Sequence, residues 1–161
     1  MTLSLVRIDD RLIHGQVVEG WLPALSACRV LVVSDQAAVD ATQAALMQMA
    51  LPESVGLEIC SVKDAPEAVR RAAAGPEPVL VLAPGPAEVL ALLRAGVRLE
   101  AVNVGGLHYA AGRVQLGKAI FLGEEDLRDL KAIADQGVRL EGRAVPSDTS
   151  QDIMGLIQDR T

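Results

Sequence analysis

Short apolar runs alternate with amphipathic segments along almost the whole chain. Runs of this kind, rich in Val, Leu, Ile and Ala, are typical of parallel strands that helices cover on both faces. We predict strands at Leu3–Ile8, Arg29–Ser34, Gly56–Ser61, Pro78–Ala83, Leu99–Val104, Lys118–Leu122 and Val138–Val145. We predict helices at Gly15–Ala24, Ala37–Ala50, Ala65–Ala74, Pro86–Ala95, Glu124–Gln136 and Gln151–Gln158. The expected fold is a single open, twisted α/β sheet of about seven mostly parallel strands, with helices on both faces and an antiparallel last strand as an open alternative.

No repeat, low-complexity tract or linker interrupts this pattern, so residues 1–161 are expected to form one domain. The net charge of −6 argues against nucleic acid as a partner, because binding to a phosphate backbone requires a basic surface. No segment approaches the roughly 18 uninterrupted apolar residues that span a bilayer, and the first residues do not resemble a signal peptide. We therefore expect a cytoplasmic protein, with a peripheral position at the inner face of the membrane as an alternative.

A polar run, Asp9–Gly15, joins the first predicted strand to the first predicted helix. Ligands of open α/β sheets bind at the carboxyl ends of the strands, which makes this loop the favoured place for a site. Backbone N–H groups at the helix start, near Gly15, and the guanidinium of Arg11 would stabilise a phosphoryl group on His14. Taken alone, the residues leave open whether His14 is such an acceptor or has a structural or capping role.

Three further residues are candidates for the same phosphate site. Asp9 or Asp10 is expected to orient either the imidazole or Arg11, as carboxylates commonly do for functional histidines. Ser34, at the end of the second predicted strand, either donates to phosphate or caps the following helix. A metal site is not expected, because no second histidine lies at ligand spacing and Arg11 would repel a cation.

Several segments together resemble the mannose/fructose/sorbose-family enzyme IIB component of the bacterial sugar phosphotransferase system. They are Val6–Val17 with Trp21, Leu31–Asp35 with Asp40, Val102–Gly106, and Gly137–Pro146 with Asp148. The resemblance implies that His14 accepts a phosphoryl group from a phosphorylated IIA protein or domain. It then passes the group to a sugar presented by the membrane components IIC and IID. It also implies that Arg11 binds phosphate, that no cofactor is needed and that the sheet is open and mostly parallel.

Other interpretations remain at this point. The same His14 chemistry would serve a regulatory phosphohistidine module without its own transporter, and a Rossmann-like domain would bind a small molecule without being phosphorylated. A nucleotide site is disfavoured because Gly112–Lys118 has the spacing of a phosphate loop but is followed by Ala119, not by Ser or Thr. His108 is either a second residue near the site or an ordinary loop histidine. Trp21 is either a core residue or part of a docking surface.

Overall fold

The computed structural model describes residues 3–108, 110–116 and 120–159. Its strands are β1 Leu3–Asp9, β2 Arg29–Val33, β3 Gly56–Cys60, β4 Val79–Ala83, β5 Ala101–Gly106, β6 Val114–Leu116, β7 Ile120–Leu122, β8 Arg139–Gly142 and β9 Gln151–Asp152. A π-helical turn, Val17–Trp21, leads into the first of the helices, which are α1 Leu22–Leu25, α2 Asp35–Val39, α3 Ala41–Ala50, α4 Ala65–Ala74, α5 Pro86–Arg94, α6 Glu124–Asp135 and α7 Ile153–Asp159. Among these described residues, no helix is both long and apolar enough to cross a membrane.

Seven of the strands form one sheet in the order β3-β2-β4-β1-β5-β8-β9. Every neighbouring pair is parallel except β8 and β9, which are antiparallel. The mostly parallel α/β sheet with an antiparallel last strand is therefore confirmed. Since β1 lies between β4 and β5, its carboxyl end is at the middle of one edge of the sheet, where ligands of such folds bind.

Helices cover both faces of the sheet, and the strands alternate between two hydrophobic cores. In β2, Leu31 and Val33 belong to the core that is shared with helices α4 to α7, whereas Val30 and Val32 belong to the core under the π turn and α1 to α3. This alternation follows from the two-residue repeat of a strand. Both faces of β2 are apolar because both are buried.

The predicted strands and the observed ones differ toward the C-terminus. Of the predicted strand Lys118–Leu122, the first two residues lie outside the described residues, as does the end of the segment Gly112–Lys118. The rest is β7, which pairs with β6 in a separate antiparallel sheet of two strands and is joined to the end of β5 by a bridge between Leu107 and Ile120. The seventh strand of the main sheet is instead β9, at the start of the predicted helix Gln151–Gln158. The predicted strand Val138–Val145 ends early, at Gly142, and is parallel to β5.

The predicted helix Ala37–Ala50 is two helices, α2 and α3, because Asp40 interrupts it. The backbone of Asp40 is extended, and its carboxylate accepts a hydrogen bond from the N–H of Gln43 at 3.0 Å. Asp favours this capping geometry over the interior of a helix, since its short side chain competes for nearby backbone N–H groups. The polar residue therefore ends one helix and begins the next.

Candidate functional site

The loop after β1 presents His14 at the start of the first helical segment. The carbonyl of His14 accepts hydrogen bonds from the N–H groups of Val17 and Val18, each at 3.0 Å, so the helix begins there. Before it, Leu12 adopts a left-handed backbone conformation with φ of 59°, which is uncommon for a branched residue. The side chains of Leu12 and Ile13 are buried in the core under α1 to α3 and anchor the strained turn.

A buried carboxylate orients the imidazole of His14. Nε2 of His14 lies 2.8 Å from Oδ2 of Asp9, whose side chain is fully buried, while 13% of the His14 side chain is exposed. The other oxygen of Asp9 accepts the backbone N–H of Arg11 at 3.1 Å. Of the two carboxylates predicted to serve this purpose, the structure brings Asp9 and not Asp10 to the imidazole.

Asp9 is ionised at neutral pH in this environment. Burial raises the pKa of the Asp9 carboxyl, but the hydrogen bond and charge of His14 and the charge of Arg7 outweigh burial, so this pKa lies below its usual value. An ionised carboxylate only accepts hydrogen bonds, so Nε2 of His14 carries the proton. In the uncharged form of the imidazole, the lone pair is then on Nδ1.

The buried guanidinium of Arg7 was not among the predicted site residues. Its Nη2 donates to Oδ2 of Asp9 at 3.1 Å, and its Nη1 donates to the side chain of Asn103, which is also fully buried. Burial lowers the pKa of Arg7 while the charge of Asp9 opposes the change, and an arginine stays protonated at neutral pH. The signal available in the sequence was one arginine inside an apolar strand, between Val6 and Ile8.

The second carboxylate of the loop, Asp10, holds the other histidine. Its Oδ2 accepts the backbone N–H of His108 at 2.7 Å, and its Oδ1 contacts Nδ1 of the same residue. The side chain of His108 is 52% exposed. His108 therefore lies next to the His14 loop and is joined to it through Asp10.

Arg11 and Gly15 border the open side of the loop. The guanidinium of Arg11 is exposed and donates to the side chain of Gln16 at 3.3 Å, a weak contact that leaves it free to turn toward an anion. A Cβ placed on Gly15 would meet no atom within 4 Å, so the space beside the helix start is open. The N–H groups of Gly15 and Gln16 precede those of Val17 and Val18, which donate to His14, and have no partner within the helix. Together with Arg11 they are hydrogen-bond donors on the open side of the loop, beside His14.

Ser34 is not brought to this site. Its hydroxyl accepts the N–H of Ala37 at 3.1 Å and caps α2. In the sheet, β4 lies between β2, which leads to Ser34, and β1, which leads to His14. The structure supports the capping interpretation and not the phosphate contact.

The structure supports the interpretation of Trp21 as a core residue. Its side chain is 3% exposed, and its indole N–H donates to the carbonyl of Ala144 at 3.0 Å. The indole therefore lies inside the core and not on a surface that a partner could contact. Trp21 instead stacks on the guanidinium of Arg7, whose Cζ lies 4.9 Å from the ring centre.

The chain matches known proteins over its whole described length. The family model of the PTS system sorbose subfamily IIB component matches residues 3–161. The chain is 34% identical to the fructose-specific EIIB component of Bacillus subtilis over 161 residues, which are 100% of this chain and 99% of that protein. It is also 34% identical to the mannose-specific EIIAB component of Escherichia coli, over 98% of this chain but only 49% of that longer protein.

A solved structure agrees with these sequence matches. The crystal structure of the IIBSor domain of the sorbose permease from Klebsiella pneumoniae superposes with a TM-score of 0.92 at 32% identity, covering 100% of this chain and 99% of that one. The chain therefore belongs to the sorbose subfamily of IIB components of the phosphotransferase system (PTS), which are phosphotransferase components of sugar transport.

Proposed function

We propose that the chain carries a phosphoryl group on Nδ1 of His14 between a phosphorylated IIA protein or domain and a sugar bound by the membrane components IIC and IID. The observation that supports this most is the 2.8 Å contact between Nε2 of His14 and the buried carboxylate of Asp9. This contact holds a proton on Nε2 and leaves Nδ1 as the nucleophile, at the carboxyl end of β1. The names of the relatives, which include fructose-, mannose- and sorbose-specific components, support a sugar as the final acceptor.

The transfer consists of two displacements at phosphorus. In the first, the Nδ1 lone pair forms a bond to phosphorus as the P–N bond to the IIA phosphohistidine breaks. In the second, the oxygen of a sugar hydroxyl forms a bond to phosphorus and its proton passes to water, while the P–N bond breaks and leaves its electron pair on Nδ1. Such transfers depend mainly on positioning and on stabilising the charge of the phosphoryl oxygens. Arg11 and the N–H groups at the helix start would supply this, at about 1.5–3 kcal/mol for each charge-assisted hydrogen bond.

The two cysteines are poor alternatives as acceptors. Burial raises the pKa of the Cys60 thiol to about 11, and only 8% of this residue is exposed. Partial burial and a contact with Glu77 also raise the pKa of Cys28, which precedes β2 at the opposite end of the sheet from His14. Because the thiolate is the reactive form of cysteine, both thiols are weak nucleophiles at neutral pH.

The proposed function is tested by reconstituting the phosphoryl chain. The protein is incubated with phosphoenolpyruvate, enzyme I, the histidine phosphocarrier protein and a IIA protein, and its intact mass is followed. We expect one phosphoryl group per chain, labile in acid and stable in alkali, as phosphoramidates are. A label that survives acid would contradict a phosphohistidine.

Blocking both thiols should leave the uptake of phosphate unchanged. Alkylation of Cys28 by iodoacetamide blocks the more exposed thiol, and a Cys28→Ser/Cys60→Ala variant removes both thiols without touching the His14 loop. We expect phosphorylation rates within about threefold of the wild type, the range of a substitution remote from the reacting groups. Loss of the label in the folded variant would place the acceptor on sulfur.

Arg11→Ala should slow phosphorylation and leave the fold intact. Arg11 is exposed and makes one long side-chain hydrogen bond, so we expect the unfolding free energy to change by less than about 0.5 kcal/mol. The rate should fall by about ten- to a thousand-fold, because one or two charged contacts in the transition state are lost at about 1.4 kcal/mol per decade. Stopped-flow or quenched-flow labelling measures the rate.

Arg11→Lys is the matched control, since it keeps the charge. We expect only partial recovery, because an ammonium group does not bind two phosphoryl oxygens as a planar fork does. A wild-type rate in Arg11→Ala, or a large fall in its melting temperature, would show that Arg11 is not a phosphate-binding residue.

A further inference from the structure

Strand β1 carries an ion pair that the fold alone does not explain. The side chains of Arg7 and Asp9 are both fully buried, and Nη2 and Oδ2 lie 3.1 Å apart. Taking two charges out of water costs several kcal/mol per ion, and apolar residues that pack equally well are often at least as stabilising. The pair therefore has a role other than stabilising the fold, and that role depends on a neighbouring group on which its charges act.

The pair acts on His14, because all three side chains meet at one oxygen. Oδ2 of Asp9 accepts from Arg7 on one side and contacts Nε2 of His14 at 2.8 Å on the other. A buried carboxylate with no cation beside it would favour the protonated imidazole strongly. With the guanidinium present, the buried pair is already neutral and attracts a further proton much less.

The guanidinium is fixed in this position. Besides Asp9 and Asn103, it donates to the carbonyl of Arg143 at 2.8 Å and to the carbonyl of Ala144 at 2.9 Å. A Cβ on Gly105 would lie 2.0 Å from its Cζ, so the backbone of β5 passes directly against it. Arg7 is thus unable to turn away from the carboxylate while the sheet is intact.

The other charged side chains of this region make their hydrogen bonds elsewhere, although the charge of Arg11, whose partner is neutral, also acts on Arg7. The pairs are Asp10 with His108, Arg143 with Glu141, and Arg11 with Gln16. Asp10 and Arg11 are the closest of these along the chain, and the side chain of neither contacts Asp9. Among the described side chains that contact the Asp9 carboxylate, Arg7 is therefore the one that carries a permanent positive charge.

We infer that Arg7 is a positioning residue that acts through Asp9. Its positive charge balances the negative charge of the carboxylate, so that His14 stays neutral and Nδ1 keeps the lone pair that attacks phosphorus. A protonated imidazole has no such lone pair and is not a phosphoryl acceptor. This inference rests on the proposed function for its consequence in transfer, although its effect on the imidazole is measurable without any phosphate.

The test compares Arg7→Gln, which keeps hydrogen-bond donors and loses the charge, with Arg7→Lys, which keeps the charge. Phosphoramidate is used as a small phosphoryl donor. The phosphorylation rate of each variant is divided by that of the wild type at the same pH, between about pH 5.5 and pH 8.5, the range over which histidines titrate. We expect the Arg7→Gln ratio to be about tenfold lower at the acidic end than at the alkaline end, as for a shift of about one pH unit in imidazole protonation. The Arg7→Lys ratio should be nearly independent of pH.

Trp21→Phe is the control for packing around Arg7. It removes the hydrogen bond to Ala144 and changes no charge, so its rate ratio should also be independent of pH. If the role of Arg7 were purely structural, all three variants would be less stable, and the rate of each would fall by the same factor at every pH. An Arg7→Gln ratio that is flat across the range would overturn the inference.

Nitrogen-15 NMR of the His14 ring gives a second readout that needs no phosphoryl transfer. In the wild type near neutral pH we expect a neutral ring with its proton on Nε2, and in Arg7→Gln a larger imidazolium fraction. A charged ring, or a proton on Nδ1, in the wild type would overturn the inference even if Arg7→Gln does not fold. If the wild type takes no label on His14 but the ring behaves as expected, the proposed function fails and the charge sharing stands.

Discussion

A His14→Ala protein will take up no phosphate from a phosphorylated IIA protein or from phosphoramidate. The substitution removes the imidazole that the structure places against the Asp9 carboxylate at the carboxyl end of β1. Removal of a nucleophile abolishes the covalent step and does not merely slow it. We expect no mass increase and no acid-labile label under conditions that label the wild type fully.

Stability is the control for that result. Asp9 keeps its hydrogen bonds to Arg7 and to the backbone of Arg11 when His14 is truncated. The unfolding free energy should therefore change by about 1 kcal/mol, as for a partly exposed residue. The matched variant is His108→Ala, which removes the other imidazole of this edge and should still be labelled. Labelling of His14→Ala at the wild-type rate would show that the phosphoryl acceptor is elsewhere.

The fold was largely predictable because β1 to β5 are short, mostly apolar and separated from one another by helical segments. Those patterns are local, and β1 to β5 lie within a few residues of their predicted places. The two-residue strand β9 was not predictable in this way. It pairs with β8 through contacts that depend on the completed sheet, and nothing in Gln151–Asp152 marks a strand. The π turn after His14 has no local signal either.

Most residues of the candidate site were predictable from the sequence, but the contacts among them were not. The loop after β1 showed the histidine, the carboxylates and Arg11, since they are adjacent in the chain. The choice between Asp9 and Asp10 depends on where β1 ends, because neighbouring side chains point to opposite faces of a strand. The partners of Arg7 lie 96 residues away at Asn103 and 136 residues away at Arg143. Contacts at that separation form only when distant strands become neighbours in the sheet, so no local sequence pattern indicates them.

The largest loss of stability is expected for Trp21→Ala. The indole is 3% exposed, packs among the residues under α1 to α3, stacks on Arg7 and donates to Ala144. Truncation of a buried tryptophan leaves a cavity and costs about 3–5 kcal/mol. The loss of the contact with the guanidinium adds about 0.5–2 kcal/mol. Urea denaturation followed by circular dichroism measures this change without relying on the lost fluorophore.

Trp21→Phe separates the ring from its hydrogen bond. The carbonyl of Ala144 also accepts from Arg7, so the phenyl ring does not leave it unpaired, and we expect a cost of only about 1–2 kcal/mol. Phosphate uptake per folded molecule should stay within about threefold of the wild type in both variants, because Trp21 contacts neither His14 nor the open side of its loop. If Trp21→Ala were as stable as the wild type and slower only with IIA as the donor, Trp21 would be a docking residue after all. The buried indole, in contact with Arg7, Arg143 and the carbonyl of Ala144, makes the opposite result the expected one: an unstable protein whose folded fraction accepts phosphate normally.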